Sequence, residues 1–185
     1  MNHQDLVHKA VSWLKNSRHC GVVLWERSSS CSETPDAIGW NGGNSVLLEC
    51  KASRQDFLCD KHKTHRENPK SGMGRWRYYF TRSGLIDPAE LEASGWGLLE
   101  WRSKVFKVRE SKDFYPYSQI SELRLLTSEL RLIQMAQDGH AVSRSGRAEY
   151  ALRGLPVRWK DDVDRERLAD LERRQMREKG AEAPR

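Results

Sequence analysis

Long apolar runs are missing from this chain of 185 residues. No stretch approaches the ~20 apolar residues that a bilayer-crossing helix needs. The opening Met1-Asn2-His3-Gln4-Asp5 carries no signal-peptide hydrophobic segment. The expectation is a protein of a bacterial or phage-infected cytoplasm that makes no membrane contact. Cysteine is scarce, with four residues at 20, 31, 50 and 59 and no C-x-x-C pair. That pattern disfavours a structural zinc site and suits reduced thiols. Cys59-x-x-His62-x-x-His65 has ligand-like spacing but lacks a further pair of ligands nearby. Cys–His nucleophilic catalysis lacks a third member and an oxyanion hole. No internal repeat is present.

Charge is abundant. Lys and Arg number 32 against 26 Asp and Glu, a net charge of +6. A basic balance makes a polyanion a reasonable partner but does not identify one. Residues 158–185 hold nine Lys and Arg against eight Asp and Glu, a net +1, so the remaining +5 belongs to residues 1–157. The composition shift after Leu155-Pro156 divides the chain into a folded domain, 1–157, and a charged tail, 158–185. The tail is expected to be a solvated helix or disordered, and it offers a surface for a partner protein.

Apolar periodicity predicts a helix over residues 3–18, with Leu6, Val7, Ala10, Val11 and Leu14 on one face. Val22 to Arg27 reads as a strand. Ser53 is a plausible N-cap for a helix running to about Glu67, stopped by Asn68-Pro69. Lys70 to Gly74 reads as a flexible loop that could close over a substrate. Trp76–Phe80, Gly95–Trp101 and Lys104–Glu110 read as strands. Residues 118–138 read as a helix with Ile120, Leu123, Leu126, Leu130, Ile133 and Ala136 on one face. This order suggests an α/β sandwich around a mixed central sheet of four or more strands flanked by helices.

The hairpin is the informative part. Asn41-Gly42-Gly43-Asn44 is a strong two-residue turn signal. With the glycines at its centre, Asn41 pairs with Asn44, Trp40 with Ser45, Ile38 with Leu47 and Asp36 with Glu49. Period-two alternation then puts Asp36, Glu49 and Lys51 on one face. Two carboxylates face each other across adjacent strands, roughly 5 Å apart between Cβ atoms. Like charges so placed destabilise a sheet unless compensated. A divalent cation compensates them, and carboxylate oxygens are ligands that Mg²⁺ prefers. The Lys51 ammonium adds positive charge beside it. Such a set suits phosphodiester hydrolysis by a metal-activated water.

Pro35-Asp36, then Glu49-Cys50-Lys51 on the next strand, then a helix, resembles the PD-(D/E)XK nuclease superfamily. The run from Glu49 to Lys61 is similar to a branch of MmcB-like DNA repair proteins and phage-encoded relatives, and Arg77–Phe80 and Gly95–Leu99 look like its later strands. The resemblance covers residues 1–110 and leaves the tail outside. It implies a restriction-endonuclease-like sandwich and a Mg²⁺ or Mn²⁺ site held by Asp36, Glu49 and the carbonyl of Cys50. Asp36, Glu49 and Lys51 would be the catalytic residues, acting in repair, recombination or phage–host conflict. Many members place a Glu on the first helix; here that helix has none, and Glu26 and Glu33 are the nearest substitutes. A nuclease-fold module that binds nucleic acid or a host protein without turnover is the alternative.

The segment after the hairpin is basic, and it supplies candidate contacts to DNA, with RNA left open. Arg54, Lys61 and His65 fall near one helix face. Arg75 and Arg77 follow. Together they could neutralise backbone phosphates. Asp56 and Asp60 read as structural salt-bridge partners, and Tyr79, alternating with Arg77, as a side chain within reach of substrate.

Overall fold

The computed structural model describes residues 1–27, 33–60 and 63–137, with backbone alone for residues 64, 65, 136 and 137. The charged tail expected at 158–185 lies outside the described residues, as do Lys61 and His62. Two compact units divide the chain; the described part of the first lies within 1–126 and that of the second is 127–137. The first is a six-stranded sheet with helices on both faces. The described part of the second is the final turns of one helix.

Helix α1, His3–Asn16, starts where Asn2 accepts from the Asp5 amide at 2.9 Å and the Asp5 carboxylate accepts from the Asn2 amide at 2.9 Å. That reciprocal cap satisfies two otherwise orphaned donors. Leu6, Val7, Ala10, Val11 and Leu14 are buried, as the periodicity predicts.

Strands β1 (Val22–Trp25), β2 (Ala37–Asn41), β3 (Asn44–Lys51), β4 (Trp76–Arg82), β5 (Gly97–Trp101) and β6 (Val105–Arg109) lie in chain order across the sheet. The β2–β3 register is the expected one: Asn41 pairs with Asn44, Trp40 with Ser45 and Ile38 with Leu47. Gly42 and Gly43 have φ of 55° and 81°, the left-handed pair that a type I′ turn demands and that glycine adopts without strain. β3, β4 and β5 are mutually parallel; the other pairings are antiparallel. The sheet is therefore mixed, and the α/β class expected from the sequence holds.

Two cores share this sheet. On one face α1 packs against Val46, Leu48, Cys50, Tyr78, Phe80 and Leu99. On the other, Ile38, Leu47, Tyr79 and Leu98 meet Phe57, Met73, Ile86, Trp96, Phe114 and Leu125. Each fully buried Leu or Phe contributes about 1.5–3 kcal/mol by leaving water.

The second face departs from the sequence reading in three places. The single helix expected from Ser53 to Glu67 is two: α2 (Arg54–Asp60) and α3 (Thr64–Glu67). Ser53 does cap α2, its Oγ accepting from the Asp56 amide at 3.2 Å. The Lys63 amide then bonds the Asp60 carbonyl at 3.2 Å, an i→i+3 step that tightens the backbone and ends α2. The loop at 70–74 is a packed wall and not a flap. It begins with a 3-10 turn, Pro69–Ser71, and Gly72, Met73 and Gly74 are buried. At φ 85°, Gly74 lies so close to β3 that a Cβ would sit 2.6 Å from that of Leu47. Finally, helix α4 (Gln119–Gln137) turns Glu122 and Leu125 inward while Ile120 and Leu123 are exposed. The Glu122 carboxylate accepts from Trp40 Nε1 (2.8 Å), Ser45 Oγ (2.7 Å) and the Gly74 amide (2.8 Å). Those three bonds decide which face of α4 packs.

Candidate active site

β3 ends in Glu49-Cys50-Lys51, and alternation sends Glu49 and Lys51 to the α2 side and Cys50 to the α1 side. Asp36 immediately precedes β2, one step beyond the Ala37–Leu48 pair. Its Oδ2 accepts the amide proton of Cys50 at 2.7 Å. The bond ties Asp36 to the very strand that carries Glu49 and Lys51. Asp36 Oδ1 lies 3.4 Å from His3 Nε2, and Glu26 Oε1 lies 3.8 Å from the same nitrogen. The hydrogen bond to Asp36 holds the His3 imidazolium pKa above its usual value, against a smaller opposing effect of burial. This is the open lip of the site, with the Asp36 side chain 19% and that of His3 38% exposed.

Behind the lip the charges are buried. Glu49 and Lys51 are each 3% exposed. Lys51 Nζ donates to Glu49 at 3.3 Å and to Asp60 at 3.1 Å. Arg66 is held through Nε to Asp60 (2.7 Å) and through Nη1 to Glu33 (3.1 Å), with its guanidinium 4.2 Å from the Trp96 ring centre. Its Nη2 lies 3.3 Å from Glu49 Oε1 without hydrogen-bond geometry. Tyr79 donates its hydroxyl to Asp60 at 2.9 Å.

Burial, reinforced by the charge of Asp36, raises the Glu49 carboxyl to about 7 even though Arg66 and Lys51 pull the other way. Burial works against the Lys51 ammonium, but Glu49 and Asp60 outweigh it and keep its pKa above the usual value. Asp60 is the reverse of Glu49: the charges of Arg66 and Lys51 overcome burial and hold it below the usual carboxylate range. One carboxyl is thus a firm anion and its neighbour is poised to bind a proton or a cation.

Asp36, Glu49 and the Cys50 carbonyl would together offer an all-oxygen donor set of the kind that hard divalent cations take. Among the described residues no three His, Cys, Asp or Glu side chains gather as a metal cluster; the Cys50 carbonyl as third ligand is what the family resemblance implies. The raised Glu49 carboxyl fits that assignment, because a cation beside it would restore its charge.

The expected nucleic-acid contacts are scattered. Arg77 is fully buried, a correction to its assignment as a phosphate ligand. Its Nε donates to the Gly74 carbonyl at 2.9 Å, and Nη2 donates to the carbonyls of Pro69 (2.7 Å) and Gly72 (3.0 Å). Burial lowers its pKa to about 10. Its chemistry is that of an internal brace. Arg75 binds Asp113 (2.7 Å) and Asn44 (2.8 Å) at the far end of the sheet. Trp76, next to it, pairs with Val46, whereas Lys51 pairs with Thr81. Five residues of strand, about 17 Å, separate the two ends. Arg54 forms a two-bond fork with Glu90, both at 2.6 Å. The side chain of His65, like Lys61, lies outside the described set. Tyr79 is buried with its hydroxyl committed to Asp60, a correction to its reading as a side chain that could approach substrate. Asp60 takes the structural role expected of it, paired with Lys63 (2.6 Å) and with Lys51 of the neighbouring strand (3.1 Å); Arg66, legible only as one more charge in the basic segment, has partners that its position in the sequence does not reveal.

No family model and no curated protein matches the chain. Among solved structures it is similar to the SPO1766 protein of unknown function from Silicibacter pomeroyi. The match has a TM-score of 0.54 and 21% identity, covering 75% of this chain and 93% of that one. At that identity the likeness speaks for the α/β fold alone.

Proposed function

We propose that the chain is a metal-dependent nuclease of the PD-(D/E)XK type, similar to MmcB-like DNA repair proteins, that hydrolyses phosphodiester bonds in DNA. The observation that carries this reading is the 2.7 Å bond from the Cys50 amide to Asp36, which holds one carboxylate at the end of the strand bearing Glu49 and Lys51. A bound Mg²⁺ or Mn²⁺ would polarise the phosphate and lower the pKa of a water. Asp36 and Glu49 would hold it together with the Cys50 carbonyl. Lys51, kept charged by Glu49 and Asp60, would orient a water or offset charge growing on phosphate oxygens. Asp60 fixes the ammonium from behind.

A second reading has its own support. Glu49 and Lys51 are buried and already balanced by Arg66 and Asp60. A nuclease-fold module that binds nucleic acid or a host protein without turnover would need no more than this.

The deciding experiment is cleavage of single-stranded, duplex and branched DNA, and of RNA, with Mg²⁺ and with Mn²⁺. Asp36→Asn, Glu49→Gln and Lys51→Ala should each lower the rate by about 10²–10³ or more, the scale seen when one charge-stabilising group is removed. Equal activity in wild type and these variants would remove the three residues from the mechanism. Metal-independent binding without cleavage would favour the second reading.

A further inference from the structure

We propose that the groove at the carboxyl ends of β3, β4 and β5 binds an unpaired nucleic-acid strand, with Arg82 on a backbone phosphate and Trp101 against a base. This deepens the nuclease reading, on which it rests for the position of the scissile bond.

In open α/β sheets the crevice beyond the carboxyl ends of parallel strands is where ligands collect. Here that crevice is a groove of about 1120 Å³ between the turn after β3 (Ala52, Ser53), the turn after β4 (Arg82 to Leu85) and Trp101 at the end of β5. Along the chain it is next to the candidate site at two points, although none of Asp36, Glu49 and Lys51 lines it. Ala52 follows Lys51 in the chain, and Met1, which also borders the groove, is two residues from His3 on the open lip.

Arg82 and Trp101 are partners in the β4–β5 ladder, so their side chains rise side by side on one face. Arg82 is exposed and makes no ion pair among the described residues, unlike Arg54 across the groove, which is committed to Glu90. Trp101 is half-buried. The Lys9 ammonium lies 3.8 Å from its ring centre, but Lys9 borders the adjoining groove along α1 and not this one. An arginine beside an aromatic ring is the pairing that holds single strands: the cation takes the phosphate and the ring takes a base face. A base in a duplex is already stacked and cannot lie on the indole. The geometry therefore selects an unpaired strand.

The test is fluorescence anisotropy with a labelled oligonucleotide, single-stranded and as the duplex of the same sequence, in Ca²⁺ and in EDTA. Arg82→Glu should weaken single-strand binding at least tenfold and reduce the salt slope by about one. Trp101→Ala should weaken single-strand binding about 5- to 100-fold and leave duplex binding unchanged, whereas Trp101→Phe keeps most of the affinity. Lys107→Ala, on β6, should stay within twofold. Wild type that binds no single strand overturns the proposal. So does unchanged affinity in both Arg82→Glu and Trp101→Ala, or equal losses for duplex. Cleavage assays on the same proteins separate this from the nuclease reading. Groove-dependent binding without cleavage leaves the groove and removes the nuclease; cleavage with groove-independent binding does the opposite.

Discussion

Glu49 is the residue on which the chemistry and the stability of this protein meet. Its side chain is buried beside the carboxylate of Asp36, and its carboxyl is raised from an ordinary 4.5 to about 7, chiefly by burial. The folded protein thus holds this proton more tightly than the unfolded chain does. Between those two pH values the native state binds more protons, so stability falls as pH rises through the window and levels off above it. Without divalent metal, wild type should lose about 2–3 kcal/mol between pH 5 and pH 8 relative to Glu49→Gln, which has no proton to release. Urea unfolding of both proteins at both pH values measures this directly. A constant difference would mean that Glu49 is ionised throughout. The composition cannot foretell this shift, because it depends on side chains far apart in the chain. Arg66 comes from a separate short helix, and Asp36 from the residues just before β2.

The elements differ in how far the sequence reveals them, for a physical reason. The β2–β3 hairpin is legible to the residue because two glycines with positive φ set its register locally. Helix α1 is legible because its buried face repeats at helical spacing within the segment itself. Where a distant partner decides, the pattern misleads. The apolar stripe of α4 suggests that Ile120 and Leu123 face the core, yet both are more than half exposed, at 55% and 58%. Glu122 wins the inward position because Trp40, Ser45 and Gly74 supply three donors that a buried site could not otherwise satisfy. Glu122→Ala should therefore cost about 3–5 kcal/mol, because it strands those donors, while Ile120→Ala should stay within about 0.5 kcal/mol. Thermal and urea unfolding of the two variants compares the faces. A larger loss for Ile120→Ala would mean that α4 packs by its apolar stripe after all. Arg77 shows the same failure in another place: an alternating Arg on a strand reads as exposed, but the carbonyls at 69, 72 and 74 accept its donors and draw it inside.

For the molecule as a whole, the site lies on its most enclosed strands. β3 and β4 have neighbours on both sides and cores on both faces, whereas β1 and β6 are sheet edges. Amides of 47–50 and 78–80 should exchange with solvent only through global unfolding, and those of β6 through smaller openings. This ranking bears on the proposed metal. A cation held by Asp36, Glu49 and the Cys50 carbonyl would bind the native state and not the unfolded chain, so it should stabilise the fold by about 2.7 kcal/mol at a hundred times its dissociation constant. With β3 opening only together with the whole sheet, as expected above, that stabilisation should slow exchange across β3 and β4 together, by about a hundredfold. Hydrogen exchange of wild type with and without Mn²⁺ tests the point, with Asp36→Asn as the comparison in which the slowing disappears. Protection confined to the lip around His3 and Glu26 would place the cation outside the strand that bears Glu49, and Lys51 would then have no metal-bound water to act upon.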